Sequence, residues 1–518
     1  MRDLAWKFLV CLVVVLPSSP LQSQESGQAP RKSSSSTDDS GTGQLEQKLQ
    51  TISTALAATE QQLEQSQRQI QQLQEELGQV RKQLDISRSA ITASSSVSDS
   101  AAAKGADDLQ ERVETLEAQV KLHDQTKVES SSKYPLRLTG LILFNSFINR
   151  GSVDNFDLPS IAVPQTAGLS NGGAGATMRQ TILGVEAFGP RIAGARTSAH
   201  VSLDFFGGIP LSNFGTSSGI VRMRTASVNF DWDRNLVQVG VVAPLISPLS
   251  PTSYATVAEP GMAWAGNLWT WAPQLLVAHQ FVSSGEHRFQ LEFGLWDPPA
   301  AGYNMTGVFR TPSPGEQTSQ PAYEGRVSYG STGEHALQIG VGGYYSRQKY
   351  SNVIVGEYSY SGTNDSWAFT TDLRIPLSHR FEVSGEGYRG RSLGSLGGGA
   401  YKDVLYGMDP ISGEPIIRGV NNIGGWTQFK ARFGQLVEAN GSVGLDNGFA
   451  GDFHSLVLPY NTTATQLRAR NRMVVGNVIY KPKTYLIFSP EYRRIWTWPI
   501  YGERSTADIF TLSVGYQF

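Results

Sequence analysis

The residues best suited to an electrostatic function are three arginines at alternating positions, Arg468, Arg470 and Arg472. Alternating side chains share one face of a β-strand, so the three guanidinium groups are predicted to form a row. If this strand crosses a membrane, an arginine on its lipid face at the middle of the bilayer costs about 2 to 4 kcal/mol. The row is therefore expected to face an aqueous interior or the lipid headgroups. Four further cations lie on two other predicted strands: Arg222, Arg224, Lys430 and Arg432.

These seven cations have two interpretations. In the first, they line a pore as a cationic ladder opposite Glu259, and the transverse field favours the passage of anions. In the second, they form salt bridges that only stiffen the wall. The carboxylates available for such salt bridges are Asp204, Glu292, Glu324 and Glu382.

Glu259 is the only charged residue in an apolar stretch, residues 244–272, which contains four prolines. Prolines reduce the entropy lost when a loop adopts one shape, and so apolar a loop is poorly placed in open water. The stretch is predicted to fold into the mouth of a barrel, with Glu259, Trp264 and Trp269 at the constriction. Capping the outside of the barrel and packing between subunits are the alternatives.

Signals for catalysis are weak. Residues 215–219 match G-x-S-x-G, but a nucleophile elbow needs a strand before the motif and a helix after it. Here a polar loop precedes a predicted strand. The seven histidines show no paired metal-ligand spacing, and His200 and Asp204, four apart on a strand, are separated by about 13 Å. No catalytic residue, metal site or cofactor is predicted.

Composition and the N-terminal residues indicate an envelope protein. The net charge of −2 gives no sign of a nucleic-acid partner. Arg2 and Lys7 flank the start of nine uncharged apolar residues, 8–16, which are too few to span a bilayer as a helix. Residues 1–23 are therefore predicted to be a secretory signal peptide. The single cysteine, Cys11, lies within it.

A helical period follows a polar leader at residues 24–43. Between Leu45 and Ile91, seam positions alternate in steps of four and three, and eleven of the fourteen are apolar. This pattern predicts a coiled coil over residues 44–91, and leucine at most a positions favours three strands. One long amphipathic helix packed elsewhere is the alternative. Residues 92–108 are predicted to be a linker, and 109–133 a short second coiled-coil segment and linker.

From residue 134 onward, apolar and polar residues alternate. In one example, Phe289, Leu291 and Phe293 share a face, while Arg288 and Glu292 share the other. Sixteen candidate strands are separated by eight long and seven short connections in alternation. A membrane barrel whose two chain ends lie on the same side of the membrane requires this alternation. Residues 134–518 are therefore predicted to form an all-β transmembrane barrel. A change of parity predicts a bulge near Thr225. Aromatic girdles are predicted at Trp232, Trp296, Tyr344, Trp426, Tyr480 and Trp496.

The last strand, residues 506–518, has Phe510, Leu512, Val514, Tyr516 and Phe518 on one face. Its unpaired edge would invite association in a soluble sheet, and closure into a barrel removes that edge. A terminal strand with Tyr516 and a final Phe518 resembles the ending of bacterial outer-membrane barrel proteins, which their assembly machinery reads.

The layout of signal peptide, coiled coil, sixteen strands and terminal Phe518 resembles that of trimeric bacterial porins, and the N-terminal rod resembles the DcaP-like branch. The resemblance implies a homotrimer in the outer membrane of a Gram-negative bacterium, in contact with the lipid bilayer and with an N-terminal region in the periplasm. It also implies that the third external loop, here residues 244–272, folds into the lumen.

The expected function is passive diffusion of small hydrophilic solutes, with a preference for anions as a further hypothesis. A structural role is the alternative, in which the coiled coil tethers the outer membrane to the cell wall. A membrane-embedded hydrolase is disfavoured because no catalytic dyad is found.

Overall fold

The computed structural model describes residues 135–168, 170–209, 219–284, 287–299, 305–306, 309–331, 336–355, 357–459 and 467–518. The predicted signal peptide, polar leader, coiled coil, linker and second coiled-coil segment, residues 1–133, lie outside the described residues.

In these ranges, sixteen antiparallel strands form the wall of a closed barrel. The strands are β1 (Leu136–Arg150), β2 in two parts (Gly172–Thr177 and Ile182–Phe188), β3 (Arg196–Asp204), β4 (Arg222–Asp231), β5 (Asn235–Val242), β6 (Ala272–Ser284), β7 (His287–Trp296), β8 (Ala322–Ser331), β9 (Gln338–Val355), β10 (Tyr358–Pro376), β11 (Phe381–Arg391), β12 (Asn421–Phe433), β13 (Val437–Gly448), β14 (Arg468–Lys483), β15 (Leu486–Pro499) and β16 (Ser505–Gln517).

Pairing of the first and last strands closes the ring. Strand β16 runs antiparallel to β1, from Leu141 opposite Gln517 to Arg150 opposite Asp508. Beyond that ladder, the backbone N–H of Gly140 donates to the carbonyl of Phe518 at 2.9 Å, and the N–H of Phe518 donates back at 3.0 Å. The predicted sixteen-stranded barrel is confirmed.

The two faces of the wall differ as the alternation predicts. On β16, Phe510 and Leu512 face outward and are 44% and 47% exposed, whereas Ser513 faces inward and is buried. On β7, Phe289 and Leu291 are exposed, while Glu292 is buried on the inner side. The outward face is therefore apolar, and the inward face is rich in polar and charged groups.

The predicted bulge is confirmed. Ser202 lies opposite Thr225 and Leu203 lies opposite Met223, so Arg224 is the extra residue on β4. The girdle prediction is wrong for three aromatics. Trp296, Tyr344 and Trp426 belong to the inward parity of their strands and are buried inside the barrel. They pack beneath loop residues there and do not reach the lipid boundary.

Long loops and short turns lie at opposite ends, called here the long-loop end and the short-turn end. One predicted long loop, residues 347–364, is instead mostly strand, because β9 and β10 extend to Val355 and Tyr358 across a register shift between Tyr350 and Val353. Two small hairpins join the long-loop end: Met305–Thr306 with Phe309–Arg310, and Val404–Met408 with Pro415–Gly419.

Helices are few and short in the described ranges: the 3-10 turns Glu316–Thr318, Gly394–Leu396 and Gly399–Tyr401, and the α-helix Ala450–Phe453. None of the helices in this part of the chain has the length and apolar character needed to cross a membrane.

Candidate functional site: a loop across the barrel interior

The connection between β5 and β6, residues 243–271, lies inside the barrel and is called the inward loop. Its apolar residues are shielded from water, among them Ile246, Ala258, Met262 and Leu268. Ile246 and Leu268 pack against the inward-facing Trp296, Tyr344 and Tyr388 of three different strands. The inward loop therefore fills part of the lumen, as the sequence predicts, and neither caps the outside nor packs between subunits.

Carboxylates of the wall hold the first half of the inward loop. Glu324 on β8 accepts a hydrogen bond from the backbone N–H of Leu245 at 2.9 Å. Glu386 on β11 accepts one from the N–H of Leu249 at 2.7 Å and another from the hydroxyl of Ser247. These carboxylates accept hydrogen bonds from backbone N–H groups that water would accept if the loop lay in solvent.

Amides of the opposite wall hold the second half. Gln428 on β12 accepts from the N–H of Thr252 at 2.6 Å, and Asn477 on β14 donates to the carbonyl of Thr252 at 2.8 Å. Gln180, between the two parts of β2, accepts from the N–H groups of Val257 and Ala258 at 2.8 and 3.0 Å. The inward loop thus crosses the interior from β8 to β2.

Glycines allow the inward loop to approach the wall closely. A Cβ atom built on Gly444 of β13 would lie 2.1 Å from the carbonyl oxygen of Ala265. In the loop itself, Gly266 has φ +107°, and its Cβ would lie 2.1 Å from the carbonyl oxygen of Gly425. Any larger side chain at these positions forces the two backbones apart.

Glu259 lies near a second carboxylate. Its Oε2 accepts from the hydroxyl of Ser160 at 3.4 Å, and the carboxylate of Asp154 accepts from the backbone N–H groups of Ser160 and Ile161 at 3.0 and 2.9 Å. Burial, and then the charge of Asp154, raise the pKa of Glu259 to about 7, although Arg222 opposes the shift. Burial also raises the pKa of Asp154. The Glu259 carboxyl therefore changes charge near neutral pH.

Trp264, whose side chain hydrogen-bonds to this carboxyl group, belongs to an aromatic cluster. Trp264 lies 6.1 Å from Trp269 and 4.1 Å from Tyr401, measured between ring centroids. The guanidinium of Arg468 lies 4.5 Å from the Tyr401 ring. Trp264 has φ +62°, a conformation that a non-glycine residue keeps only when its surroundings impose it. The three predicted constriction residues thus belong to one part of the inward loop.

Two of the predicted basic residues clamp the inward loop. Arg222 and Arg224 both contact Asp204, at 2.6 and 2.9 Å. They also donate to the carbonyls of Ala258 and Val257 at 2.7 and 2.8 Å. Both face the interior, and their positive charge is partly balanced by a fully buried carboxylate.

Two more face the interior near the short-turn end, where they form salt bridges. Lys430 lies 3.3 Å from Glu438, and Arg432 lies 3.1 Å from Glu382. The seven cations are therefore not one continuous ladder. Arg222, Arg224 and Arg432 pair with Asp204 and Glu382, two of the carboxylates named in the second interpretation. Lys430 pairs with Glu438, which was not among them, and Arg468 lies apart from these four.

Arg470 and Arg472 are a correction, because they face outward. The register between β14 and β15 shifts between Arg468 and Arg470, so the three arginines do not share one face. The inward positions are instead Asn471 and Met473, and the Asn471 amide donates to the carbonyl of Trp264 at 3.0 Å. Arg470 and Arg472 are exposed on the outer surface and do not line the lumen.

Sequence reasoning missed the residues that hold the inward loop. The sequence predicts that Glu324 pairs with a cation, but its carboxylate accepts backbone N–H groups. No sequence pattern singles out the other loop contacts, which are Gln180, Glu386, Gln428 and Asn477. Their signal in the sequence was weak. Glu386, Gln428 and Asn477 are polar residues at inward positions of their strands, as are many others, and Gln180 lies between the two parts of β2.

A cavity of about 600 Å³ lies inside the barrel toward the short-turn end. Its charged lining residues are Arg288, Glu292, Arg326, Arg374 and Glu382. Arg326 is fixed by Glu292 at 2.6 Å and by Asp372 on β10 at 2.9 Å. Over the described ranges, no three His, Cys, Asp or Glu side chains are grouped so that they could hold a metal ion.

A closed sixteen-stranded barrel with a polar interior and an inward loop has the architecture of channel-forming outer-membrane barrels. Among solved structures, the chain is similar in fold to the outer membrane channel DcaP of Acinetobacter baumannii, with a TM-score of 0.55 and 15% sequence identity over 75% of this chain and 99% of that chain. The resemblance predicted from the sequence is confirmed at the level of the fold.

Two weaker similarities are to an anion-selective porin from Comamonas acidovorans and to OprB of Pseudomonas putida. The first has a TM-score of 0.45 and 13% identity over 74% of this chain and 100% of that chain. The second has a TM-score of 0.47 and 11% identity over 77% of this chain and 96% of that chain. No protein-family model matches the chain, and no curated protein matches it.

Proposed function

We propose that the protein is an outer-membrane channel through which small hydrophilic solutes diffuse passively. The observation that carries this proposal is the inward loop, which narrows a polar lumen while strands from β8 to β2 hold it in place. A barrel of sixteen strands is wide enough to leave an aqueous path. A loop anchored by wall carboxylates and amides sets the width of that path.

The proposed location follows from the outer surface. Apolar side chains such as Leu291, Phe293, Phe510 and Leu512 are exposed there, which suits hydrocarbon and not water. Closure of the barrel gives each of the sixteen wall strands a hydrogen-bonded neighbour on both sides, as a bilayer requires. The protein in its membrane is proposed to be a homotrimer with a periplasmic N-terminal region.

A preference for anions is the finer part of the proposal. Arg288 lines the cavity at the short-turn end, and among the described residues no carboxylate lies within ion-pair distance of it. The other two lining arginines, Arg326 and Arg374, are paired with carboxylates. Arg468 adds a cation near the constriction. These groups would attract small anions over short distances, although the ion pairs around Asp204 and Glu382 weaken the field.

Planar-bilayer recording with the full-length protein tests both parts. We expect stepwise conductance, and a reversal potential in a KCl gradient that indicates chloride as the more permeant ion. The variant Arg288→Gln should shift the reversal potential toward cation preference, and Arg137→Gln, at an exposed ion pair with Glu186, is the control. Absence of conductance would contradict the channel. Cation preference that Arg288→Gln leaves unchanged would contradict the anion preference alone.

A further inference from the structure

The outward arginines belong to a compact cluster on β14 and β15 at the long-loop end. Along these strands, Arg470 lies opposite Trp498, Arg472 lies opposite Trp496, and Val474 lies opposite Arg494. Arg504 follows in the next loop, and its guanidinium lies 5.7 Å from the Trp498 ring. Arg470, Arg472, Arg494, Arg504, Trp496 and Trp498 are called the arginine–tryptophan patch.

One indole is shared by three guanidinium groups. Arg470, Arg472 and Arg504 lie 5.6, 5.8 and 5.7 Å from the centre of the Trp498 ring. Among the residues described, no carboxylate lies within ion-pair distance of any of the three. Like charges this close repel one another, so the arrangement favours an anion that bridges them.

The remaining polar contacts leave these arginines available to a ligand. The Nε of Arg470 donates to the amide oxygen of Asn447 at 2.6 Å, which fixes the side chain. Among the described residues, its two terminal nitrogens have no hydrogen-bond partner. Arg494 is the only member of the patch with a carboxylate partner among the described residues, Asp508 at 3.5 Å. The Asp508 carboxylate also accepts from the Tyr492 hydroxyl at 2.6 Å.

The height of the patch on the barrel indicates what kind of anion it meets. One step below Arg494 on the outward face lie Tyr492 and its neighbour Phe510, and below Phe510 follow Leu512 and Val514. Each step is about 7 Å along a strand. The patch therefore lies directly above the apolar band, where lipid headgroups lie and where tryptophan side chains are favoured.

A second copy of this chain is a poorer partner for the patch. It would need unpaired carboxylates on its outward face at the same end of the barrel. Two acidic residues at outward positions of the strands at that end already have partners. Asp508 contacts Arg494 and Tyr492, and Asp365 contacts Arg347 and Tyr345. Phosphate groups, by contrast, accept the paired N–H donors of arginine in bidentate geometry.

We propose that the arginine–tryptophan patch binds the phosphate groups of a phosphorylated glycolipid in the external leaflet of the membrane. The guanidinium groups of Arg470, Arg472 and Arg504 contact phosphate, while Trp496 and Trp498 lie at the boundary between headgroup and acyl chains. The proposal rests on the outer-membrane location given above. It does not depend on whether the barrel conducts.

The test uses the full-length protein in detergent, freed of bound lipid, with lipopolysaccharide as the probe and the number of bound molecules read by native mass spectrometry. A second probe is the same lipopolysaccharide with its phosphates removed enzymatically. The variant is Arg470→Gln/Arg472→Gln. The matched control is Arg347→Gln/Arg389→Gln, which removes two outward arginines that already have partners, Asp365 and the carbonyl of Asn422.

We expect the double variant at the patch to bind lipopolysaccharide at least tenfold more weakly than the wild type, and the control to stay within about twofold. Wild-type protein should bind the dephosphorylated probe at least tenfold more weakly, a result that needs no variant to fold. Equal binding of both probes would overturn the proposal. So would equal binding by both double variants.

Two further readouts separate this proposal from its rivals. A change in protomer number in the patch variant, with lipid binding intact, would identify a contact between copies and overturn the proposal. Conductance in bilayers without lipopolysaccharide should be the same for the patch variant and the wild type. Loss of lipid binding with normal conductance supports the patch, and a non-conducting barrel that keeps phosphate-dependent binding contradicts only the channel.

Discussion

Asp204 links the wall of the barrel to the inward loop through two arginines. Its carboxylate is fully buried and contacts both Arg222 and Arg224, whose guanidinium groups also bind carbonyls of the inward loop. The bulge at Arg224 makes this possible, because it lets two nearby residues of β4 face the interior together. Without the carboxylate, two adjacent positive charges would remain in a confined space.

Asp204→Asn is therefore expected to destabilise the barrel by about 3 kcal/mol, the typical effect of removing one partner of a buried ion pair. Unfolding by guanidinium chloride in detergent, followed by tryptophan fluorescence, measures the change. The control is Asp231→Asn, whose pair with Arg196 is exposed and should contribute less than about 1 kcal/mol. Equal effects of the two substitutions would contradict the role assigned to Asp204.

Glu259 gives the constriction a charge that depends on pH. Its pKa of about 7 lies above the ordinary value of 4.5, because burial and Asp154 disfavour the ionised form. Below pH 7 the carboxyl group is mostly neutral, and above pH 7 it is mostly negative. A negative charge in the lumen repels anions, so the preference for anions should increase as the pH falls through 7.

Glu259→Gln keeps this position neutral and should reduce the pH dependence between pH 6 and 8. Two unit charges about 6 Å apart in water interact by about 0.7 kcal/mol, which corresponds to about a threefold change in permeability ratio. Reversal potentials measured across this pH interval give that ratio. Glu503→Gln, in an exposed loop, is the control. A pH dependence as large in Glu259→Gln as in the wild type would show that another group is responsible.

At the scale of elements, the inward loop and strand β13 depend on each other's shape. The carbonyl of Ala265 occupies the space that a side chain at Gly444 would need. Gly441 lies on the opposite face of the same strand, where a Cβ would meet nothing within 4 Å. The two glycines therefore separate the effect of loop packing from the general cost of glycine replacement.

Gly444→Val should push the inward loop away from the wall and destabilise the barrel by about 1 to 3 kcal/mol, the usual range for an overpacked interior. Single-channel conductance should change with it, because the loop sets the width of the lumen. Gly441→Val should leave conductance as in the wild type. Identical conductance in both variants would mean that the inward loop does not limit the ion path.

The elements were predictable where one physical rule acts locally. Alternation along β7 and β16 assigned both faces correctly, because only one face of the wall contacts apolar surroundings. The same rule failed for Trp296 and Trp426, since an interior filled by a loop also buries large aromatics. It failed again for Arg470 and Arg472, because a register shift at one residue of β14 is not encoded in residue type.

The position of the inward loop inside the barrel was predicted from its prolines and its apolar composition. The wall side chains that hold it there were not predicted. Glu324 and Glu386 bind backbone groups that lie 78 or more positions away in the sequence. Such contacts follow from the closed ring, which brings β8 and β11 to face the same loop. A single sequence indicates which residues of each strand face inward, but it does not indicate which groups they contact across the lumen.

At the scale of the whole molecule, the seam between β16 and β1 completes the barrel. Phe518 hydrogen-bonds through its backbone to Gly140, and its ring lies against the same glycine. Because the ring of Phe518 is half exposed, its loss should remove little folded-state packing. Its predicted role, with Tyr516, is to be read by the barrel-assembly machinery.

Phe518→Ser should therefore reduce the amount of folded protein in the outer membrane severalfold, while the purified variant refolded in detergent keeps nearly wild-type stability. Heat-modified migration on gels measures both quantities. Ile411→Ser removes a more exposed apolar side chain from a loop and serves as the control. Wild-type amounts of Phe518→Ser in the membrane would contradict the assembly role.

The oligomer is the last property that depends on the whole chain. A predicted three-stranded coiled coil at residues 44–91 would hold three barrels together by its leucine seam, independently of any contact between barrels. Deletion of residues 44–123 should then give monomeric barrels with unchanged conductance per barrel, whereas deletion of the predicted linker 92–108 alone should leave trimers. Native mass spectrometry counts the protomers, and bilayer recording gives the conductance. Trimers that survive the longer deletion would place the association in the barrel. Loss of envelope attachment in cells, with trimers and conductance retained, would instead favour the tether to the cell wall.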